Sequence, residues 1–137
     1  MANITCDIVT PTKRLFTEEC YMVVVPGTEG AMGFLSGHAQ TMSTLADGVI
    51  RVYSDASTVA HTYAMMGGYV QVTGEKAIVL ADRAVLVDEI DSAAVQQKIA
   101  EAEEALKAVE GADKVLLEED LKWARVCAHA VGVESAV

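Results

Sequence analysis

Apolar and polar positions along the chain follow two different periods, and the change falls near Glu89. Before it, short runs rich in β-branched residues alternate with turn signals. Ile4-Thr5-Cys6-Asp7-Ile8-Val9-Thr10 stops at Pro11. Arg14 to Thr17 and Cys20 to Val25 follow, the second ending at Pro26-Gly27. Gly48 to Tyr53 comes after the Asp47-Gly48 pair, and then Val59 to Met66, Tyr69 to Val72 and Ala77 to Leu80, with Gly67-Gly68 and Gly74 at the joints. Short strands separated by turns predict an antiparallel β-sandwich or barrel. With no long helical pattern among them, a parallel α/β sheet is disfavoured.

After Glu89 the spacing becomes helical. Val95, Ile99, Ala102, Leu106 and Val109 form one stripe, with Asp91 placed to cap its start and Gly111 to stop it. A second helix is predicted from Asp113. It carries two apolar rows, Leu117-Leu121-Ala124-Ala128-Val131 and Leu116-Trp123-Cys127-Ala130. At about 100° per residue these rows span half of the helix. One row suits the partner helix. The other needs a second surface, either the sandwich or another protein. A joint as short as Gly111-Ala112 makes the helices antiparallel neighbours. The predicted organisation is therefore a β-sandwich over residues 1–89 and an antiparallel two-helix hairpin over 90–137.

Composition narrows the function. The apolar fraction is 52% of 137 residues, ample for a core. No apolar run approaches the ~18 residues of a membrane span, so direct bilayer insertion is not expected. Met1-Ala2-Asn3-Ile4-Thr5 lacks the basic and apolar segments of a secretory signal. Net charge is −10, and residues 1–89 and 90–137 each carry ten acids and five bases. Nucleic acid and anionic lipid headgroups are poor partners for such a surface.

Candidate chemistry is sparse. Cys6, Cys20 and Cys127 are odd in number and form no C-x-x-C pair, so they read as reduced, small core residues. His38, His61 and His129 are isolated from one another, without metal-ligand spacing. There is no G-x-S-x-G nucleophile turn and no G-x-x-x-x-G-K-S/T phosphate loop. No catalytic residue, metal or cofactor is expected.

A resemblance rests on Pro26-Gly27-Thr28-Glu29-Gly30-Ala31-Met32-Gly33-Phe34-Leu35-Ser36-Gly37-His38-Ala39. It is similar to the P-G-x-E-G-x-x-G-x-x-x-G-H-A segment of epsilon subunits of bacterial F-type ATP synthases. Asp7-Ile8-Val9-Thr10-Pro11, Asp47-Gly48-Val49-Ile50-Arg51-Val52, Gly67-Gly68-Tyr69-Val70-Gln71-Val72 and Val79-Leu80-Ala81-Asp82 resemble further segments of that family, in its order and spacing.

The resemblance implies a non-catalytic rotor subunit of the central stalk, coupling proton-driven c-ring rotation to ATP synthesis on the cytoplasmic face of the bacterial plasma membrane. It implies partners: the gamma subunit, the polar loops of the c-ring, and the alpha and beta catalytic subunits through the hairpin, which in the family folds on the sandwich or extends to restrain hydrolysis. Glu29, Gly30 and His38 are the expected ring contacts, less charged than in many relatives because Ala31 replaces an acid. The gamma face is expected to be apolar and to include Met65, Met66, Tyr69 and Val70.

Some relatives bind ATP through Ile/Leu-Asp-x-x-Arg-Ala at the first helix. Ile90 and Asp91 match that motif, but Ala94 stands at the arginine position and Val95 at the alanine position. Asp91 then reads better as a helix cap. The alternative to the rotor subunit is a free-standing ligand-binding sandwich or minor enzyme capped by the helices.

Overall fold

The β-branched runs form eight strands: β1 (Ile4–Val9), β2 (Arg14–Cys20), β3 (Met22–Gly27), β4 (Gly30–Leu35), β5 (His38–Thr44), β6 (Gly48–Tyr53), β7 (Val59–Gly74) and β8 (Lys76–Leu86). A 3-10 turn at Val87–Glu89 leads to α1 (Ser92–Ala105) and α2 (Ala112–Ala136). The computed structural model describes residues 3–136, and side chains through residue 132. Met1 and Ala2, part of the opening read above for a signal, and the final residue of the 90–137 hairpin lie outside the described residues.

Hydrogen bonds link the strands in the order β2-β1-β8-β7-β6-β3-β4, with β5 paired to β7. The pairs are antiparallel except β1 with β8, which is parallel. This sheet becomes a two-layer sandwich because β7 and β8 bend together. Inward side chains on β7 switch from Tyr63 and Met65 to Val70 and Val72, and on β8 from Ala77, Val79 and Ala81 to Ala84 and Leu86. Both changes of parity meet at Gly67-Gly68, whose φ values are +63° and +134°. A Cβ at Gly68 would overlap the Leu80 carbonyl. Glycine is required there because the strands cross from one layer to the other at that point.

Between the layers lies one core, including Ile4, Cys6, Ile8, Val23, Phe34, Ile50, Met65, Val70 and Val79. The pattern of apolar runs predicted no strand at β4 or β5, whose segment is rich in glycine and small residues. Gly30 and Gly37, both at positive φ, instead start β4 and precede β5. It also divided β7 at the glycines that only bend it.

The helical half agrees in kind and differs at the joint. The Asp91 side chain accepts from the Ala94 N–H at 3.2 Å and caps α1. α1 ends at Ala105 rather than near Gly111, since Leu106 to Ala108 form turns, and Gly111 with φ +71° precedes α2. Cys127 and Ala130 of the second row pack against Ala64 and Val87, so the sandwich covers that part of α2. Leu116, earlier in the same row, is 61% exposed beside Val115 at 58%.

Candidate functional site

The glycine segment shapes one edge of the sandwich. Thr28 and Glu29 make the two-residue turn between β3 and β4, where Gly27 pairs with Gly30. A side chain at Gly27 would meet the Gly30 carbonyl oxygen at 2.5 Å, so the turn closes only around glycine. Glu29 and Gly30 are exposed at its tip. Along the edge strand β4, Ala31, Gly33 and Leu35 are exposed, while Met32 and Phe34 turn inward.

His38 sits at the other end of β4. Its ring packs edge-on to Phe34 with centroids 4.9 Å apart, and Nδ1 bonds the Ala39 carbonyl at 2.7 Å. Nearby, Ser36 donates to Glu75 at 2.6 Å. Six strand residues separate the two ends, so Glu29 and His38 lie on the order of 20 Å apart. The structure brings Glu29 and Gly30 together and leaves His38 at the far end of the same edge.

The two outer faces differ. On the first layer, built from β2, β1, β5 and the adjoining halves of β8 and β7, Val9, Ile78 and Leu80 are half-buried, and Tyr69 and Met42 are 41% and 67% exposed. Asp7 and Lys76 form an ion pair of 3.2 Å among them. No other described element of the chain covers this apolar face. The gamma face anticipated above needs correction here. Met65 and Val70 are fully buried core residues, because alternation along β7 turns them inward, while Tyr69 does face out. Met42, Ile78 and Leu80 share the outer face with Tyr69, which sequence alone does not reveal, since face membership depends on strand pairing.

The second layer's outer face carries the hairpin. Val49, Ala64 and Val85 lie under Trp123, Val126, Cys127 and Ala130. Two ion pairs of opposite sense flank Leu121. Arg83 on β8 meets Asp120 at 2.9 Å, and Lys122 meets Asp47 at 3.1 Å. The other Asp47 oxygen accepts from the Gly67 N–H at 2.9 Å, tying the hairpin to the sandwich corner.

At the nucleotide-motif remnant, Ile90 packs into the cluster under α2, Asp91 caps α1, and Ala94 is exposed. Lys98 and Arg83 line a cleft of about 470 Å³, where Asp120 already pairs with Arg83 and Glu101 adds a second acid. Lys107 lines a separate cleft of about 1050 Å³. Lys122 and Arg125 line that cleft too, but each of its three cations is paired with an acid: Lys107 with Glu104, Lys122 with Asp47 and Arg125 with Glu103.

His61 stacks on Phe16 at 5.4 Å, and His129 lines the larger cleft. Among the described residues, no cluster of three or more His, Cys, Asp or Glu side chains could hold a metal ion. No described helix is long and apolar enough to cross a membrane.

Comparison with known proteins fits this two-part architecture. Residues 3–87 match the family described as ATP synthase, delta/epsilon chain, β-sandwich domain. The chain belongs to that family. Its similarity to full-length relatives narrows the class to epsilon chains. It is 36% identical to the ATP synthase epsilon chain of Granulibacter bethesdensis over 133 residues, 95% of this chain and 98% of the relative. It is 34% identical to that of Fuscovulum blasticum over 131 residues, 96% and 98% of the two chains.

Solved structures share the fold. A chain of the Euglena gracilis mitochondrial ATP synthase superposes with a TM-score of 0.72 at 22% identity, covering 98% of this chain and 82% of that one. A chain of the Tetrahymena thermophila mitochondrial ATP synthase central stalk and c-ring gives 0.57 at 12% identity, covering 93% and 96%.

Proposed function

We propose that this chain is a non-catalytic central-stalk subunit of an F-type ATP synthase, turning with the rotor and coupling c-ring rotation to ATP synthesis. The observation that carries this reading is the asymmetry of the sandwich. The hairpin covers one outer face, and the other presents Val9, Met42, Tyr69, Ile78 and Leu80 with no other described element of the chain on it. A face on which these apolar side chains surround one ion pair, with exposed Gln71 between Met42 and Ile78, suits a permanent protein partner. We assign it to the gamma subunit.

The β4 edge, from the Glu29-Gly30 turn along Ala31, Gly33 and Leu35 to His38, is the c-ring contact in this reading. Its small and polar exposed side chains suit the polar loops of the ring, with Leu35 the one large apolar side chain exposed along it. The hairpin is the element through which the chain reaches the alpha and beta subunits and restrains hydrolysis. Ile90 and Asp91 serve packing and capping, not nucleotide binding. Residues 1–89 form a unit that folds and assembles without residues 90–137. The protein then sits peripherally on the cytoplasmic face of the bacterial plasma membrane.

Co-purification tests the assignment. Tagged chain drawn from native membranes should bring gamma, alpha and beta with it, and Tyr69→Glu with Leu80→Glu should abolish recovery while the isolated chain stays folded. Recovery of the tagged chain alone from intact membranes would instead favour a free-standing binding protein.

A further inference from the structure

The β1–β2 pairing brings together two thiols to which the rotor role gives no task. Ile4 pairs with Cys20 and Cys6 with Glu18, which makes Cys6 and Cys20 diagonal neighbours on the core side of the hairpin. Both are free. They differ in access. Cys6 is fully buried, whereas Cys20, 5% exposed, borders a surface cleft of about 260 Å³ with Glu18, Tyr21, Tyr53 and His61.

Their electrostatics differ in the same direction. The Cys6 thiol, donating toward Cys20 and buried near the Asp7 carboxylate, is pushed above the ordinary thiol range. Cys20, accepting from Cys6, is held below it despite its partial burial. A thiol shifted toward its thiolate beside a surface cleft, with a more basic thiol diagonally behind it, is the arrangement of an attacking and a resolving cysteine.

We propose that Cys20 and Cys6 form a peroxide-sensitive pair that closes reversibly into a disulfide tying β2 to β1. The reactant is hydrogen peroxide or a small organic peroxide entering the cleft. The Cys20 thiolate attacks one peroxide oxygen, the O–O bond breaks, and the leaving hydroxide or alkoxide takes up the proton shed by the thiol. Cys20 is then a sulfenic acid. The Cys6 sulfur attacks the Cys20 sulfur, the S–O bond breaks, and the departing hydroxide leaves as water with the Cys6 proton. Two thiols have lost two electrons, and the peroxide has gained them.

Diagonal cross-strand neighbours sit about 7–8 Å apart at Cα, against roughly 4.4–6.8 Å in disulfides. Closure must therefore draw the strands together by about 1 Å. β2 can move because it is an edge strand, and its pairing with β1 already shifts register between Ile8 and Val9. A bond formed in this way is readily reduced, as a reversible device requires.

Cys127 supplies an internal control. It is a buried thiol without a second cysteine beside it, and burial pushes it up to about 11. The test oxidises the folded, reduced full-length chain with equimolar hydrogen peroxide at neutral pH and maps the peptides by mass spectrometry. A Cys6–Cys20 linked peptide should form at least ~10-fold faster than any modification of Cys127, and a thiol reductant should reverse it. In Cys6→Ala, Cys20 should instead be trapped as a sulfenic acid adduct by dimedone. Equal reactivity of Cys20 and Cys127, or a linked peptide that appears only after denaturation, would overturn the proposal. The wild-type measurement decides the matter even where Cys6→Ala folds poorly.

Discussion

Replacing Ala130 with aspartate should release the hairpin while leaving the sandwich folded. Ala130 is fully buried between α2 and the second layer, against Ala64, Val87 and Cys127. These four side chains hold six carbon atoms and one sulfur, each carbon worth about 0.8 kcal/mol when taken out of water. The gross docking term is then ~5–6 kcal/mol before ordering costs are subtracted. The ion pairs Arg83–Asp120 and Lys122–Asp47 are substantially exposed, and add about 0–1 kcal/mol each. A carboxylate at Ala130 has no cation within the cluster, and an uncompensated buried ion costs several kcal/mol. That exceeds the net docking energy, so the hairpin should lift away.

Trp123, the single tryptophan of the chain, is half-buried in the same contact and reports the change. Its emission should shift to the red, and amides of α1 and α2 should exchange faster. Amides of β1 and β6 should keep their protection. Ala130→Ser should do little. Unchanged tryptophan emission in Ala130→Asp, or loss of protection across the sandwich, would refute the reasoning.

Further outcomes follow from the same geometry. Because Arg83 and Lys98 share their cleft with Asp120 and Glu101, and Lys107, Lys122 and Arg125 are paired with acids in theirs, ATP with magnesium should bind more weakly than about 100 μM, or ~5.5 kcal/mol, by titration calorimetry. Gly68→Ala should cost ~3 kcal/mol or more in denaturant unfolding, since its Cβ meets the Leu80 carbonyl. Gly74→Ala, also at positive φ but in open space, should cost about 1 kcal/mol. Asp120→Ala with Lys122→Ala should loosen the hairpin at low ionic strength by about 1 kcal/mol, and this difference should vanish near 1 M salt, where screening is complete within ~3 Å.

The sequence was informative wherever one residue type forces one geometry. Pro11, the Asp47-Gly48 pair and Asp91 marked real boundaries, because each restricts the backbone locally, whereas Pro26 lies inside β3, paired with Ala31. The change of period at Glu89 was equally legible, since it follows from which faces must be buried. Gly67-Gly68 misled because the same dipeptide breaks a strand in one setting and bends a continuous one in another. The β4–β5 segment was missed because its glycines and small residues give little alternation, and its pairing comes from β3 and β7. The uncovered outer face was harder still. Met42, Tyr69, Ile78 and Leu80 come from three separate strands, and only the register aligns them on one side. Cys6 and Cys20 looked like unrelated core residues for the same reason.

The parallel pairing of β1 with β8 has a consequence for synthesis of the chain. Thr5 through Val9 align with Lys76 through Leu80, so the earliest strand finds that neighbour only when the last one has been made. Contacts of such long range fold slowly. Until then β1 can pair with β2, its adjacent hairpin partner, and offers an open edge where β8 will insert. A nascent chain released before Leu86 would expose that edge together with the apolar side of the first hairpin. The hairpin helices follow immediately in sequence, and Ala64 and Val87, which they cover, belong to strand β7 and the turn after β8. Biogenesis should therefore proceed in a fixed order: first hairpin, closure of the sandwich by β8, then docking of α2.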